Sequence, residues 1–591
     1  MSSRGFGGSP SLFARLQTAF TRRIRIDSRS LAAFRILAGL LVIADLLLRS
    51  RNFGFFYTES GVVPRSLARE LSAEYAVSIY HLTTDPTLIG ALFVLQGTIA
   101  LQLIVGYKTR LATVLTFLFV VSLDHHNPLV LSYADTLFRF LLFWAMFLPL
   151  GERWSVDAIH RDRTPRASVA SAATALVLVQ VVYVYFTNGL TKSLSEEWVG
   201  GTAGTLVFGI DEMTFLLGDL LREVPTLLGI GGFVWYLMLL GSWLLLALVG
   251  RGRLALVGLF VAGHLSFALT VRIGAFPYVS IAGLLLFLPP VFWQQVRTLL
   301  DRVGVDVDGI RASVGNLAML VPASPLIGDI ERFGVPAGRI QRLRSGVYTV
   351  TLGIVVVTIV LVSAVFLFQI GTAVAATDHQ PTEETIDDVL VDGLDGVTGL
   401  RHVETVAESA GVDQPIAWGI FAQPRTEDRY YVFPARTAEG DLVDAYNARE
   451  VTYDRPYDRL QRQHGTYRER FYMNSVRRGG QYGNDVPRYL AEHVCEQWTD
   501  EHGTELTHVN MYMVREEITR ETMDRPSERD RTYLEIHRHG CGDRGPTDLH
   551  PPENNTRRNS AGDAVQRPAI ATRPPRLRSR RRQGRATRPF R

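Results

Sequence analysis

Residues 175–192 read ALVLVQVVYVYFTNGLTK, an apolar run that ends on a lysine. Extended back to position 168, the run is long enough to cross a bilayer, which takes about 20 mostly apolar residues. It turns polar only at its exit, through Tyr185-Phe186-Thr187-Asn188-Gly189-Leu190-Thr191-Lys192. The chain of 591 residues has 62 lysines and arginines, and only Lys108 and Lys192 are lysine. Lys108 lies in a short polar hinge where either cation serves. Arginine keeps its proton in a protein, whereas a desolvated lysine can lose it. Lys192 is therefore a candidate titrating amine; the bland alternative is chance survival in an arginine-biased chain.

Comparable runs repeat along the first 375 positions, at roughly 31–48, 87–106, 111–124, 136–150, 168–190, 226–249, 254–271, 276–295 and 346–371. The sequence thus predicts an all-α polytopic membrane bundle of about nine transmembrane helices, a small α+β extramembrane domain and a disordered tail. The expected divisions are a leader at 1–30, the bundle at 31–300 and a cytoplasmic loop at 301–345. A last helix at 346–376, the α+β domain at 377–550 and a basic tail at 551–591 complete them. In the leader, Leu12, Phe13, Leu16 and Phe20 share one helical face, which suits an interfacial helix or a disordered segment. Arg22, Arg23, Arg25 and Arg29 before the first span place the N-terminus in the cytoplasm of a multi-pass cell-membrane protein. Nine spans then put the α+β domain outside the cytoplasm.

Ionisable groups inside apolar runs are costly and are functional candidates by default. On this topology Asp124, His125, His126, Asp135, Lys192, His264 and Arg272 share one leaflet. Each has a plainer reading: a turn at Asp124–Pro128, a hydrogen-bonded bundle histidine at His264, a structural pair between Asp45 and Arg139. Residues 191–225 read as either a re-entrant segment or an ordinary outer loop. Carboxylates at Glu196 and Glu197 would hold Lys192 as the ammonium if close. No metal site is expected, since the Asp124–His126 cluster lacks a third ligand at helical spacing.

The run Tyr185-Phe186…Gly189-Leu190…Lys192…Trp198 resembles the lysine segment of vitamin K-dependent γ-carboxylases. His264 followed by Ile273-Gly274…Phe276…Tyr278, and Trp154-Ser155-Val156-Asp157, are similar to further motifs of that group. Together they resemble the HTTM (horizontally transferred transmembrane) family over about residues 24–300. The resemblance implies quinol-linked carboxylation or related base chemistry, with Lys192 as the base and His264 as its catalytic partner. It further implies a reduced naphthoquinone of the vitamin K or menaquinol type, bound near His125, His126, Trp198, Phe276 and Tyr278. The partners it implies are the lipid bilayer, an isoprenoid quinone and a protein or peptide substrate outside the membrane. A non-catalytic protein that binds lipid or quinone and presents its outer domain to partners is the alternative.

Beyond the last run the chain is polar. Strands are predicted near Trp418–Pro424, Tyr430–Ala435, Val509–Glu517 and Thr532–His539, with an amphipathic helix at 485–502. Cys495 and Cys541 are either a disulfide or two buried thiols. His537, His539 and Cys541 alternate as metal ligands do, but a strand ending in a Gly-Cys-Gly turn explains them. A formal net charge of +4 gives no reason to expect nucleic acid.

Overall fold

The computed structural model describes residues 12–72, 76–161, 164–306, 309, 418–421, 423–519, 521–523, 525–549 and 552. The longer helices of the N-terminal region are α1 Leu12–Ile24, α2 Ser28–Ser50, α3 Pro86–Val105, α4 Thr109–His126 and α5 Tyr133–Ala145. They continue with α6 Ala172–Lys192, α7 Pro225–Leu240, α8 Gly250–Thr270, α9 Phe276–Leu285 and α10 Pro290–Arg302.

Local chemistry sets their ends. Asp85 caps α3 by accepting from Thr87 N at 2.7 Å, and Pro86 opens the helix, where its missing N–H costs nothing. A reciprocal Ser171–Thr174 capping box starts α6 at Ala172, later than the run itself. Ser168 and Val169 instead pair with Asp27 and Ile26 as a short strand.

Among the described residues, five helices are long and apolar enough to cross a membrane: α2, α3, α6, Pro225–Ala247 and α8. The expected count of about nine is not confirmed among the described residues. α5 has 13 residues, about 20 Å of rise and short of a bilayer core. The run expected at 276–295 breaks at Pro289-Pro290, where two backbone donors are missing, and α9 and α10 meet at 101°. Counted as one broken span, that pair brings the total to six. The span expected at 346–371, most of the 301–345 loop and the tail from 553 lie outside the described residues.

The C-terminal region is α+β. It comprises β1 Glu427–Val432, β2 Pro434–Thr437, β3 Leu442–Asp444, β4 Arg449–Glu450, α11 Tyr467–Tyr482, α12 Val486–His502, β5 Leu506–Glu517 and β6 Arg531–Gly540. β5 is central and fully antiparallel to its neighbours. Its one edge carries β1 (Tyr430 opposite Val514) and β2 (Ala435 opposite Val509) end to end; β6 lines the other. Cys495 of α12 and Cys541 after β6 form a disulfide, which settles the choice left open by the sequence. Residues 418–421 form a turn rather than the expected strand.

This region packs directly on the bundle. Phe55 and Phe56, just beyond α2, meet Tyr472 of α11 edge-on at centroid distances of 6.0 and 5.4 Å. Arg468 of α11 reaches into the bundle, where it pairs with Asp45 and, at 2.8 Å, with Asp135. Arg49 completes the network, donating to Asp45 at 2.7 Å and to Asp124 at 2.8 Å. The expected Asp45–Arg139 pair is not what forms: Arg139 faces Asp124 at 3.5 Å, and Asp45 is taken by Arg49 and Arg468.

Candidate functional site

α6 ends at Lys192, α5 begins at Tyr133, and the turn between α8 and α9 passes through Ile273. These ends meet at one end of the bundle, beneath residues 418–421, 423–425 and α11. Gly189 lets α6 come close to α7, since a Cβ there would stand 2.8 Å from Leu240 N. Gly274 has φ +67, and a Cβ would sit 2.5 Å from the Tyr467 ring. Glycine at both positions follows from close approach, and at Gly274 from backbone conformation as well.

Lys192 is 2 % exposed. Its Nζ donates to the carbonyls of Ile420 and, at 2.9 Å, Phe421. It also stands 4.4 Å from the ring centroid of Trp198, whose own Nε1 donates to Phe421 O at 2.8 Å. Asn188, one turn earlier on the same face of α6, donates from Nδ2 to Trp418 O at 2.5 Å and Ile420 O at 3.0 Å. Phe421 adopts φ +53, a left-handed conformation that bulky side chains rarely take. The turn presents both carbonyls to one ammonium. Two carbonyl acceptors and an aromatic face are the partners that a buried lysine cation requires.

Beside this cluster lies a cavity of about 430 Å³. Its walls are mainly apolar, with Tyr133, Leu194, Met213, Ile273, Phe276 and Phe471 among them. Thr191, Ile420 and Phe421 join it to the Lys192 cluster, and Arg425 and Arg470 provide charge. Glu212, from the loop after α6, accepts from Arg425 at 2.7 Å and faces Arg470 at 3.6 Å. Burial pushes the Glu212 carboxyl up, but Arg425, Arg470 and His464 more than offset this and hold it at about 2. Burial drives the pKa of His464 down to about 4.

The other expected site residues divide. Trp198 is brought to Lys192, and Phe276 lines the cavity beside that cluster. His264 is not: it lies fully buried in α8, with Nε2 2.8 Å from the Tyr185 hydroxyl. Trp235 and Phe276 surround it at centroid distances of 5.3 and 6.0 Å, so Phe276 links it to the cavity wall. His126 lies elsewhere, stacked near Tyr57 and tilted against His81 at 4.9 Å. The neighbouring His125 has its Nδ1 3.1 Å from Val77 O. Neither histidine lines the cavity, because α4 ends on the side of the bundle occupied by Tyr57 and Tyr80. Tyr278 is 46 % exposed and borders a separate groove with Leu48 and Arg51. Glu197 accepts from Ser195 Oγ at 2.6 Å, which ties it into the cap of a short helical turn. Among the described residues no cluster of histidine, cysteine and carboxylate groups could hold a metal ion.

Residues 24–293 match the family model of the HTTM domain. The chain carries an HTTM domain. Together with the apolar helices, the match points to a multi-pass membrane protein. No curated protein and no solved structure matches the chain. Lys192, Trp198, His264 and Phe276 lie inside the HTTM domain, whereas Trp418–Phe421, Arg425 and Arg470 come from beyond it. Asn188 could have been found as the polar residue four positions before Lys192. The remaining residues of the site carry no local signal.

Proposed function

We propose that the protein binds a lipid-soluble weak acid of the reduced naphthoquinone type in the cavity, and that Lys192 is the base that takes its proton. The observation that carries this reading is the position of Lys192: a buried amine beside an apolar cavity of about 430 Å³, at a membrane-helix end within an HTTM domain. The volume and the mostly apolar lining are those of a site for a flat, ring-sized ligand. Tyr133, Leu194, Phe276 and Phe471 would hold the ring. A reduced quinone, when bound, supplies an acidic hydroxyl. Lys192 as free amine accepts a proton at Nζ, and the resulting ammonium is held by Ile420 O, Phe421 O and the face of Trp198. His264 acts through Phe276 as a positioning residue. Carboxylation of an acidic protein or peptide outside the membrane is the finest form of the proposal. The arginine-rich leader and the Cys495–Cys541 disulfide support a cytoplasmic N-terminus and an α+β domain on the oxidising side.

One observation favours a second, non-catalytic reading. The same two carbonyls make Lys192 a clamp that holds residues 418–421 on the bundle. Native mass spectrometry of the purified protein tests binding directly. A bound isoprenoid quinone is expected in the wild type and lost in Phe276→Trp, which fills the cavity; equal occupancy in both contradicts the site. Quinol-dependent turnover that vanishes in Lys192→Arg, with the fold intact, supports the base; unchanged turnover leaves the clamp.

A further inference from the structure

The cavity has a polar end that the proposed base does not use. Two guanidinium groups, Arg425 and Arg470, border it and both face Glu212; burial of Arg425 is more than offset by Glu212 and Asp428, so the under-compensated charge is that of Arg470. The Arg470 side chain is 8 % exposed. Nε of Arg470 and Nε of Arg425 are buried and have no hydrogen-bond partner among the described residues. Burial and the nearby Arg425 and Arg272 push the Arg470 pKa below its ordinary value, and Glu212 only partly offsets them. Arg272 does not face this need, because its guanidinium donates to the carbonyls of Gln461, His464 and Gly465. A buried charge without full compensation is costly, and an arginine fork suits a planar or tetrahedral oxyanion. Met213, Ile273, Phe276 and Phe471 give the rest of the wall a mainly apolar face, with Ser132, Thr191 and Gln423 as its polar members.

We infer that the cavity binds an amphiphile headed by a carboxylate or phosphate, its oxyanion on Arg425 and Arg470 and its apolar body along Phe276, Ile273 and Phe471. The site is independent of whether Lys192 acts as a base. Its cationic end belongs to the α+β region, so the ligand seals the joint between that region and the bundle.

The test measures binding of dodecanoate, dodecyl phosphate and dodecanol to the full-length protein in a neutral detergent. At least one anionic probe is expected to bind about ten-fold or more tightly than dodecanol, as one charge-assisted contact requires. A tighter carboxylate assigns a fatty-acid-like ligand, and a tighter phosphate assigns a phospholipid-like head. Arg470→Gln is expected to remove the preference while dodecanol binding stays, which also reports that the cavity survives. Equal affinity for dodecanol and both anions in the wild type overturns the inference without any variant. Retention of the full preference in Arg470→Gln and in Arg425→Gln overturns it as well.

Discussion

Lys192 is decided by what touches its Nζ. It is buried, and its partners are the carbonyls of Ile420 and Phe421. Substitution separates its two roles. Lys192→Met leaves two buried carbonyls short of a donor and is expected to cost about 1–3 kcal/mol of stability. Lys192→Arg can still donate but cannot give up its proton, so it is expected to keep most stability and lose base function. Thermal unfolding of the three proteins in detergent checks the order wild type, Arg, Met. His464 makes a second residue-scale prediction. Its pKa is about 4 in the folded protein, below the ordinary value of 6.5. Between those values the unfolded chain binds more protons, so this stability is complete above about pH 6.5 and is lost as pH falls towards 4. The loss is on the order of 3 kcal/mol. His464→Asn is expected to flatten the unfolding profile over that window; an unchanged slope refutes the assignment.

Elements were legible where their signal is local. The helix expected at 485–502 forms as Val486–His502, and the strands expected near Val509–Glu517 and Thr532–His539 form as β5 and β6. The end of α6 at Lys192 was also readable, because the apolar run gives way there to Thr191-Lys192. What could not be read is which elements meet. β1 and β2 share one edge of β5 across some 80 positions, and no periodicity encodes that. Arg468 is one arginine among many, yet it alone carries α11 into the carboxylates of α2 and α5. Arg468→Met leaves Asp45 and Asp135 short of a buried cation. It is expected to cost about 3–5 kcal/mol and to loosen α11, seen as faster amide exchange over residues 467–482. Unchanged protection there contradicts the anchoring role. The Cys495–Cys541 disulfide spans 46 positions between α12 and the end of β6. Chain-entropy reasoning gives about 4 kcal/mol for a loop of that length, so Cys541→Ser is expected to lower the unfolding temperature of the α+β region.

At the scale of the whole molecule, the HTTM domain supplies the amine and much of the apolar wall, and the region beyond it supplies the carbonyls, the arginines and Phe471. The site exists only where the two meet. Trp198 and Phe276 lie by Lys192 or the cavity, whereas His125, His126 and Tyr278 lie away from it. A shared leaflet is a statement about depth, and it says nothing about which side of a bundle a helix end occupies. The bundle's core and the α+β core also merge through Phe55, Phe56 and Tyr472, so the α+β region is not a tethered appendage. The central claim is that a weakly acidic ring in this cavity gives its proton to Lys192. The most direct measurement is the absorbance of a naphthol probe bound to purified protein, since the ionised probe absorbs at longer wavelength. The account predicts a bound, ionised probe in the wild type and a bound, neutral probe in Lys192→Met and Lys192→Arg. A probe that stays neutral in the wild type, or ionises equally in all three proteins, contradicts it.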